Sequence, residues 1–439
     1  MKVGKNGSEY WVLVILLRLL FDWAYNEVVA PYFAYTAYKY QPSMGFMLAS
    51  WVILIVLAAV NRHFYNNKGN RMSFEILYVL FIMHVVPFTS MVAFGQFEMT
   101  FIISNTVFWL LLFCLSCYYP EKNRAKKLKL APYRLHGEKQ IKIIAIAFGV
   151  VILYISARYA HFRFNLSLDD VYAQRSEAEA YNMPSVLVYF FSWTRPVNTV
   201  LIAYFIRKKM NLYAAATIVI QLLSFSIDGL KTTLFLLAFA VAINMLPKVK
   251  YRVMNGIILS GICCVNMLSM LLHKLTGSIY LVSLLCRRVF FEPVKISGYY
   301  FDYFTNNQPD YFRQSFLRLL GFSSPYPTIP VMISEVYEKN SSFANNGLIS
   351  DAITNMGYVG ILIFPVALFL LLRVLDRSSK GLDSRICITI AMYLSIVLTN
   401  SFLMRVLFTH GMIILILVLK NMKHDTEPEQ AKTRLYQRA

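Results

Sequence analysis

Charged side chains stand at a few points of an otherwise apolar chain, where long hydrophobic runs give way to turns. Arg287 and Arg288 head the run CRRVFFEPVKISGYYFDYF, which also carries Glu292, Lys295 and Asp302. Arg158, Arg163, Asp169, Asp170 and Arg175 lie in ARYAHFRFNLSLDDVYAQRSEAEAYNMP, and Arg195 follows in SWTRPVN. Asp228 and Lys231 mark the tip of SFSIDGLKTTLF, while Arg405 and His410 sit on the last hairpin. A charge in or near hydrocarbon is costly, so residues of this kind are paired or functional. The recurring arginines suit an anionic headgroup, because a guanidinium offers phosphate planar, bidentate donors that lysine lacks. Asp302, Glu292, Asp169, Asp170 and His410 are the groups able to act as a general base toward a hydroxyl, and the sequence does not rank them. Tyr299 and Tyr300 offer apolar faces to sugar rings, although aromatic belts at a membrane interface have the same composition. A plainer reading has these charges snorkelling to water, with Arg288 and Glu292 paired at i,i+4.

Other chemistries find less support. Cys114 and Cys117 form a C-x-x-C inside an apolar run, without the second ligand pair of a zinc ribbon or the soluble α/β setting of a redox motif. The seven histidines show no ligand spacing. No metal site and no cofactor are expected.

The elements that must hold these residues are membrane helices. Of 439 residues, 57% are hydrophobic and only 15% charged, against about 25% charged in soluble domains. An all-α, polytopic transmembrane protein is expected, forming a single integral membrane domain over 1–439. Twelve apolar segments are each long enough to be read as spans, at about 10–35, 44–61, 73–93, 101–118, 141–157, 185–206, 212–226, 230–246, 254–274, 352–372, 386–402 and 404–420. With both termini cytoplasmic, the alternating loops on that side hold 28 of the 43 Lys+Arg residues and about 8 of the 23 acidic ones. The whole formal charge of +20 then lies on one face, as the positive-inside rule requires, and no nucleic-acid partner is implied. On the outer side fall two long loops, 158–184 and 275–351. The second, between spans nine and ten, holds 15 aromatic residues and no low-complexity run, so it is expected to be ordered. Within it, 278–304 is expected to be helix lying near the membrane surface and interrupted near Pro293.

Several stretches resemble the oligosaccharide repeat unit polymerases, the Wzy-type O-antigen and capsular polysaccharide polymerases of bacteria. They are RRVFFEPVKISGYYFDYF, LGFSSPYPTIPVMI, FANNGLISDAITNMGYVG, SFSIDGLKTTLF and DDVYAQR. The resemblance implies a multi-pass inner-membrane enzyme with a glycosyltransferase C-like fold. It would transfer a growing glycan from undecaprenyl pyrophosphate to a single lipid-linked repeat unit on the periplasmic face. A flippase and a chain-length regulator would be its partners, with membrane lipid around it. The family's loop arginines map by position onto Arg158, Arg163, Arg175 and Arg195 and onto Arg287, Arg288, Arg313 and Arg318. An arginine–glycine repeat found in some members has no matched pair here.

Two other functions share parts of this pattern. A polysaccharide flippase or transporter also has about twelve spans, but usually lacks so long an external loop. An O-antigen ligase would carry a histidine in that loop, and 275–351 has none. On the polymerase reading, Arg287 and Arg288 are expected to hold a lipid pyrophosphate, with Arg195 or Lys231 converging from the other side.

Overall fold

The structure, a computed structural model, describes residues 8–118, 137–165 and 171–422. All regular elements among them are helical. In chain order they are α1 (8–33), α2 (Met44–Asn66), α3 (Met72–Ala93), α4 (Met99–Tyr118), α5 (Gly137–Tyr159), α6 (Val171–Glu179), α7 (Ser185–Arg207), α8 (Asn211–Asp228), α9 (Lys231–Met245), α10 (Tyr251–Thr276), α11 (282–306), α12 (Ile329–Glu338), α13 (Ile349–Ser379), α14 (Ser384–Asn400) and α15 (Leu403–Met422).

Helix lies at each of the twelve expected places, but nine of these helices among the described residues are long and apolar enough to cross a membrane. The other three places are held by less regular or shorter elements. α1 changes from α-helix to a π turn at Tyr25–Val29 and back. α9 and α14 are shorter apolar helices. With 15 residues, α9 rises only about 22 Å, less than the ~30 Å of a bilayer core.

The chain packs as two compact units. Among the described residues, one comprises 8–118, 249–372 and 395–404, and the other 137–165, 171–248, 373–394 and 405–422. At the centre of the first unit is α3, whose apolar window is 100% buried. A helix hydrophobic on all sides has no face to give to water or lipid, so it becomes the core on which others pack. Around it α1, α2 and α10 expose apolar side chains such as Val12, Leu19, Val52, Ile55 and Leu268, as lipid-facing helices do. In the second unit Ile152, Ile155, Phe191, Leu223 and Ile227 bring α5, α7 and α8 into one apolar cluster.

The long segment 275–351 is ordered, and its main element is α11. Its first part, Val282–Phe291, is a π-helix, and its second, Glu292–Asn306, is α-helical. The expected interruption at Pro293 is therefore corrected: the proline sits in the first turn of the α-helical part. The preceding i→i+5 turn is wider, leaving room for the ring where an α turn would clash, and proline's missing donor matters least at a helix start.

A loop from Ala37 to Gln41 is held against the turn after α3. Gln41 donates its backbone N–H to Phe94 O (2.8 Å), and Gln96 accepts from the Lys39 amide (2.7 Å) while donating to Ala37 O (3.0 Å). This crossing needs Gly95, whose φ is +70° and whose added Cβ would stand 2.4 Å from Gln41 O. Gly95→Ala is expected to cost more than about 2 kcal/mol, since left-handed strain alone costs roughly 1–2. Gly321→Ala, also at positive φ (+88°) but with open space around it, should show the strain alone. Thermal unfolding of the two variants in detergent compares them; equal losses would mean the Gln41 crossing imposes no constraint.

Candidate functional site

In the first unit α11 carries most of the chemistry, and its π-to-α junction decides which charges meet. Glu292 donates its backbone N–H to Arg287 O, the i→i+5 bond of the π turn. That pitch brings the side chain of Arg287, rather than Arg288, over Glu292: Arg287 Nη1 donates to Glu292 Oε2 at 3.0 Å. The expected i,i+4 pair of Arg288 with Glu292 is thus replaced by an i,i+5 pair. The Arg287 guanidinium also lies 4.2 Å over the Phe33 ring, and its Nε donates to Ser283 Oγ at 3.2 Å.

One helical turn on, Lys295 is wholly buried. Its ammonium pairs with Glu292 Oε1 (2.9 Å) and Glu338 Oε1 (2.7 Å) and donates to Thr36 O (3.0 Å). All three donors of the ammonium are matched. The rings of Tyr38 and Tyr299 flank it at 4.5 Å and 5.4 Å. Tyr38 donates to Glu292 Oε2 at 2.8 Å, and Tyr299 donates to Thr36 O at 3.1 Å. Burial pushes the Glu292 carboxyl up, but Lys295, the Tyr38 hydroxyl and Arg287 outweigh it and hold the group below the usual carboxylate range. Burial first, and then the Glu292 charge, push the Tyr38 hydroxyl well above its ordinary value. Two cations and two carboxylates close this hub among themselves.

Beside the hub lies an open cleft of about 500 Å³. Tyr299, Asp302 and Thr305 of α11, Phe97, Glu98 and Phe101 at the start of α4, Lys39 of the loop, Tyr337 of α12 and Tyr358 of α13 line it. The Tyr337 hydroxyl donates to Asp302 Oδ2 in a short hydrogen bond. Its ring stacks on Tyr299 at 4.6 Å and 6°. Burial, followed by its hydrogen bond to Asp302, pushes the Tyr337 hydroxyl far above its usual value. At the floor is Gly298, where a Cβ would come within 2.8 Å of the Phe97 ring, so glycine lets α11 approach this closely.

A second polar cluster belongs to the other unit. Arg195 of α7 pairs with Asp228 at the end of α8 (Nη2 to Oδ2, 2.7 Å), and Asp228 Oδ1 accepts from the Leu230 amide at 3.0 Å. Arg175 is close enough to act on the Asp228 charge, and Arg195 and Arg405 are close enough to act on His410. Gly229, at φ +61°, lets α6 close on the hairpin tip, since a Cβ would meet Gln174 Oε1 at 2.7 Å and Val171 O at 3.0 Å.

The sequence candidates are therefore distributed as follows. Arg287, Glu292, Asp302 and Tyr299 come together in the first unit. Arg288, next along the same helix, is exposed. Tyr300 turns inward instead, wholly buried, and donates to Ala344 O at 3.0 Å; it stays out of the Asp302 cleft, because neighbours on a helix point about 100° apart. Arg313 folds back on Asp310 O (2.8 Å) and Pro309 O (3.1 Å), and Arg318 is exposed. Arg195, Asp228, Arg175, His410 and Arg405 gather in the second unit. Arg163 pairs there with Glu177 at 2.6 Å in an exposed bridge. Arg158 and Lys231 are exposed, with Arg158 5.7 Å over Tyr159. Asp169 and Asp170 lie outside the described residues. Tyr38, Gln96, Glu98, Tyr337 and Glu338 were not singled out by the sequence reading; their only sequence signal is residue type. No known protein family, curated protein or solved structure matches the chain.

Lys295→Met would leave Glu292 and Glu338 partly buried without their shared cation. Breaking a buried pair from one side costs about 3–5 kcal/mol, so a loss near the lower end of that range is expected, since Arg287 still faces Glu292. The Arg288→Ala variant should stay within about 0.5 kcal/mol of the parent. Because the folded Glu292 carboxyl is held below its unfolded value, its contribution is complete above about pH 4.5 and is lost as pH falls through the folded value. Unfolding in detergent as a function of pH should show this loss in the parent and a smaller one in Glu292→Gln; identical acid slopes would remove Glu292 from the account.

Proposed function

We propose that the chain is a lipid-linked oligosaccharide repeat unit polymerase, a glycosyltransferase of the bacterial inner membrane. In this reading undecaprenyl-pyrophosphate-linked glycan is both donor and acceptor, the termini are cytoplasmic, and a flippase and a chain-length regulator act beside it. The observation that carries the reading is the Asp302 cleft: a solvent-facing carboxylate, fixed by the Tyr337 hydroxyl, in an aromatic-lined recess on the helix that also carries Arg287 and Arg288. A carboxylate among aromatic faces suits a sugar hydroxyl, and an exposed arginine on the same helix suits a phosphate.

The chemistry follows from these groups. The acceptor hydroxyl gives its proton to Asp302 as its oxygen bonds to the donor's anomeric carbon. The anomeric C–O bond breaks, and its electron pair leaves with the pyrophosphate. Negative charge grows on that leaving group, so a preorganised cation stabilises the transition state more than the ground state. Glu292 is a poor base for this step, because the cations around it hold its proton affinity down. Asp302 has no cation paired to it among the described residues, and it faces the recess.

Deleting the gene in its host and resolving the surface glycan on a gel tests the reading. The expected result is loss of the ladder with single repeat units retained on the core. Loss of both the ladder and the single-unit band would contradict polymerisation and indicate transport or ligation instead.

A further inference from the structure

We infer that the turn 311–322, which the sequence places in a loop outside the membrane, is seated in the bilayer. Its apolar side chains lie among phospholipid acyl chains, and Arg318 reaches the level of the phosphates, whatever reaction the protein catalyses.

The segment reads YFRQSFLRLLGF, with two arginines and no acidic residue. At its tip Leu319 and Leu320 are 88% and 69% exposed, and Phe316 and Phe322 are exposed beside them. Large apolar side chains gathered at one uncovered point mark contact with a second apolar phase. The position of the turn identifies that phase as lipid. Phe312 stacks on Phe364 of α13, with ring centroids 6.3 Å apart and planes at 4°. Phe364 lies six residues past Tyr358, about 9 Å along the helix, in a run without a charged residue between Asp351 and Arg373. Around it Tyr358, Val359, Leu362, Ile363 and Val366 are exposed, on a helix long and apolar enough to cross a membrane. The turn therefore lies alongside the lipid-facing stripe of α13 and continues it.

A non-helical segment can enter lipid only with its backbone groups matched inside the protein, since no water is there to bond them. The amides of Arg313, Ser315, Leu317, Arg318, Gly321 and Phe322 all donate to carbonyls between positions 310 and 318. Those of Phe312 and Gln314 donate to Asn355 Oδ1 and Asp310 Oδ2, each at 2.8 Å. The Gln314 side chain ties the neck of the turn: its Nε2 donates to Tyr326 O (3.1 Å) and to Pro327 O, and its Oε1 accepts from the Ile329 amide (3.2 Å). Buried Asp310 roots the turn on α13 through its own amide, which donates to Thr354 O at 2.7 Å. Polar groups thus gather at the root and apolar ones at the tip. Arg313 folds back on the root, whereas Arg318 is exposed, with a stem long enough to carry its charge from the acyl chains to a headgroup.

Fluorescence quenching tests this on the purified full chain in vesicles of phosphatidylethanolamine and phosphatidylglycerol. With the native cysteines replaced, Leu319→Cys and, separately, Leu320→Cys carry an environment-sensitive fluorophore, and Val359→Cys on α13 serves as the lipid-facing reference. Both tip residues are exposed, so neither substitution removes a packing contact that the fold needs. Lipid spin-labelled near the carbonyl end of its acyl chain should quench the probes at 319 and 320 as strongly as the one at 359. Iodide, supplied on both sides of the membrane, should leave all three unquenched. Quenching by iodide at 319 or 320 would overturn the placement and put the turn in water. Resistance of either probe to both quenchers would also overturn it, and would indicate a protein cover such as a second copy of the chain.

Discussion

One buried ammonium organises the first unit. Lys295 has no access to water, and an ammonium in that position persists only with its donors matched and its charge countered. Meeting that demand draws together α11, α12 and the chain just after α1, through Glu292, Glu338 and Thr36 O. These three partners lie up to 259 residues away in the chain. The requirement is stricter than apolar packing, because a methylene group accepts many neighbours and an ammonium accepts only acceptors.

The hub also sorts the charges by availability. Glu292 is enclosed by Lys295, Arg287 and Tyr38, so its ionised form is stabilised and its tendency to accept a proton falls. Arg287 is drawn into the same enclosure by the π turn, and it lies on Phe33. What remains outside is Arg288 on one stretch of the helix and Asp302 farther along it. A helix that consumes one cation and one carboxylate in its own support thereby presents one of each to a ligand. The separation matters chemically: a free arginine directly beside Asp302 would neutralise the carboxylate and depress its basicity.

Much of this was legible in the sequence, and the parts that were not have a common cause. The apolar runs predicted helix at all twelve places, since hydropathy reports burial in lipid or protein without regard to partners. The ordered character of 275–351 followed from its aromatic content. The pairing of Glu292 was misjudged by one residue, because an α-helical period was applied to a segment that forms a π-helix, and no residue type announces that change. Tyr300 looked equivalent to Tyr299 until the helix was oriented against its neighbours. Tyr38 was passed over because its partner, Glu292, stands 254 residues later. Residue chemistry is local in the sequence, and the hub is built from contacts that are not.

In the proposed function, the hub leaves Asp302, and not Glu292, as the carboxylate that takes the acceptor's proton. The most direct measurement is the pH dependence of repeat-unit extension by purified parent, Asp302→Asn and Glu292→Gln chains, each at matched folded concentration. Removing a general base should lower the rate of Asp302→Asn by about 10²–10⁴-fold and abolish the acidic limb of the profile. Glu292→Gln should keep that limb and lose rate only in proportion to its lost stability. An intact acidic limb in Asp302→Asn, or its disappearance in Glu292→Gln alone, would contradict the claim.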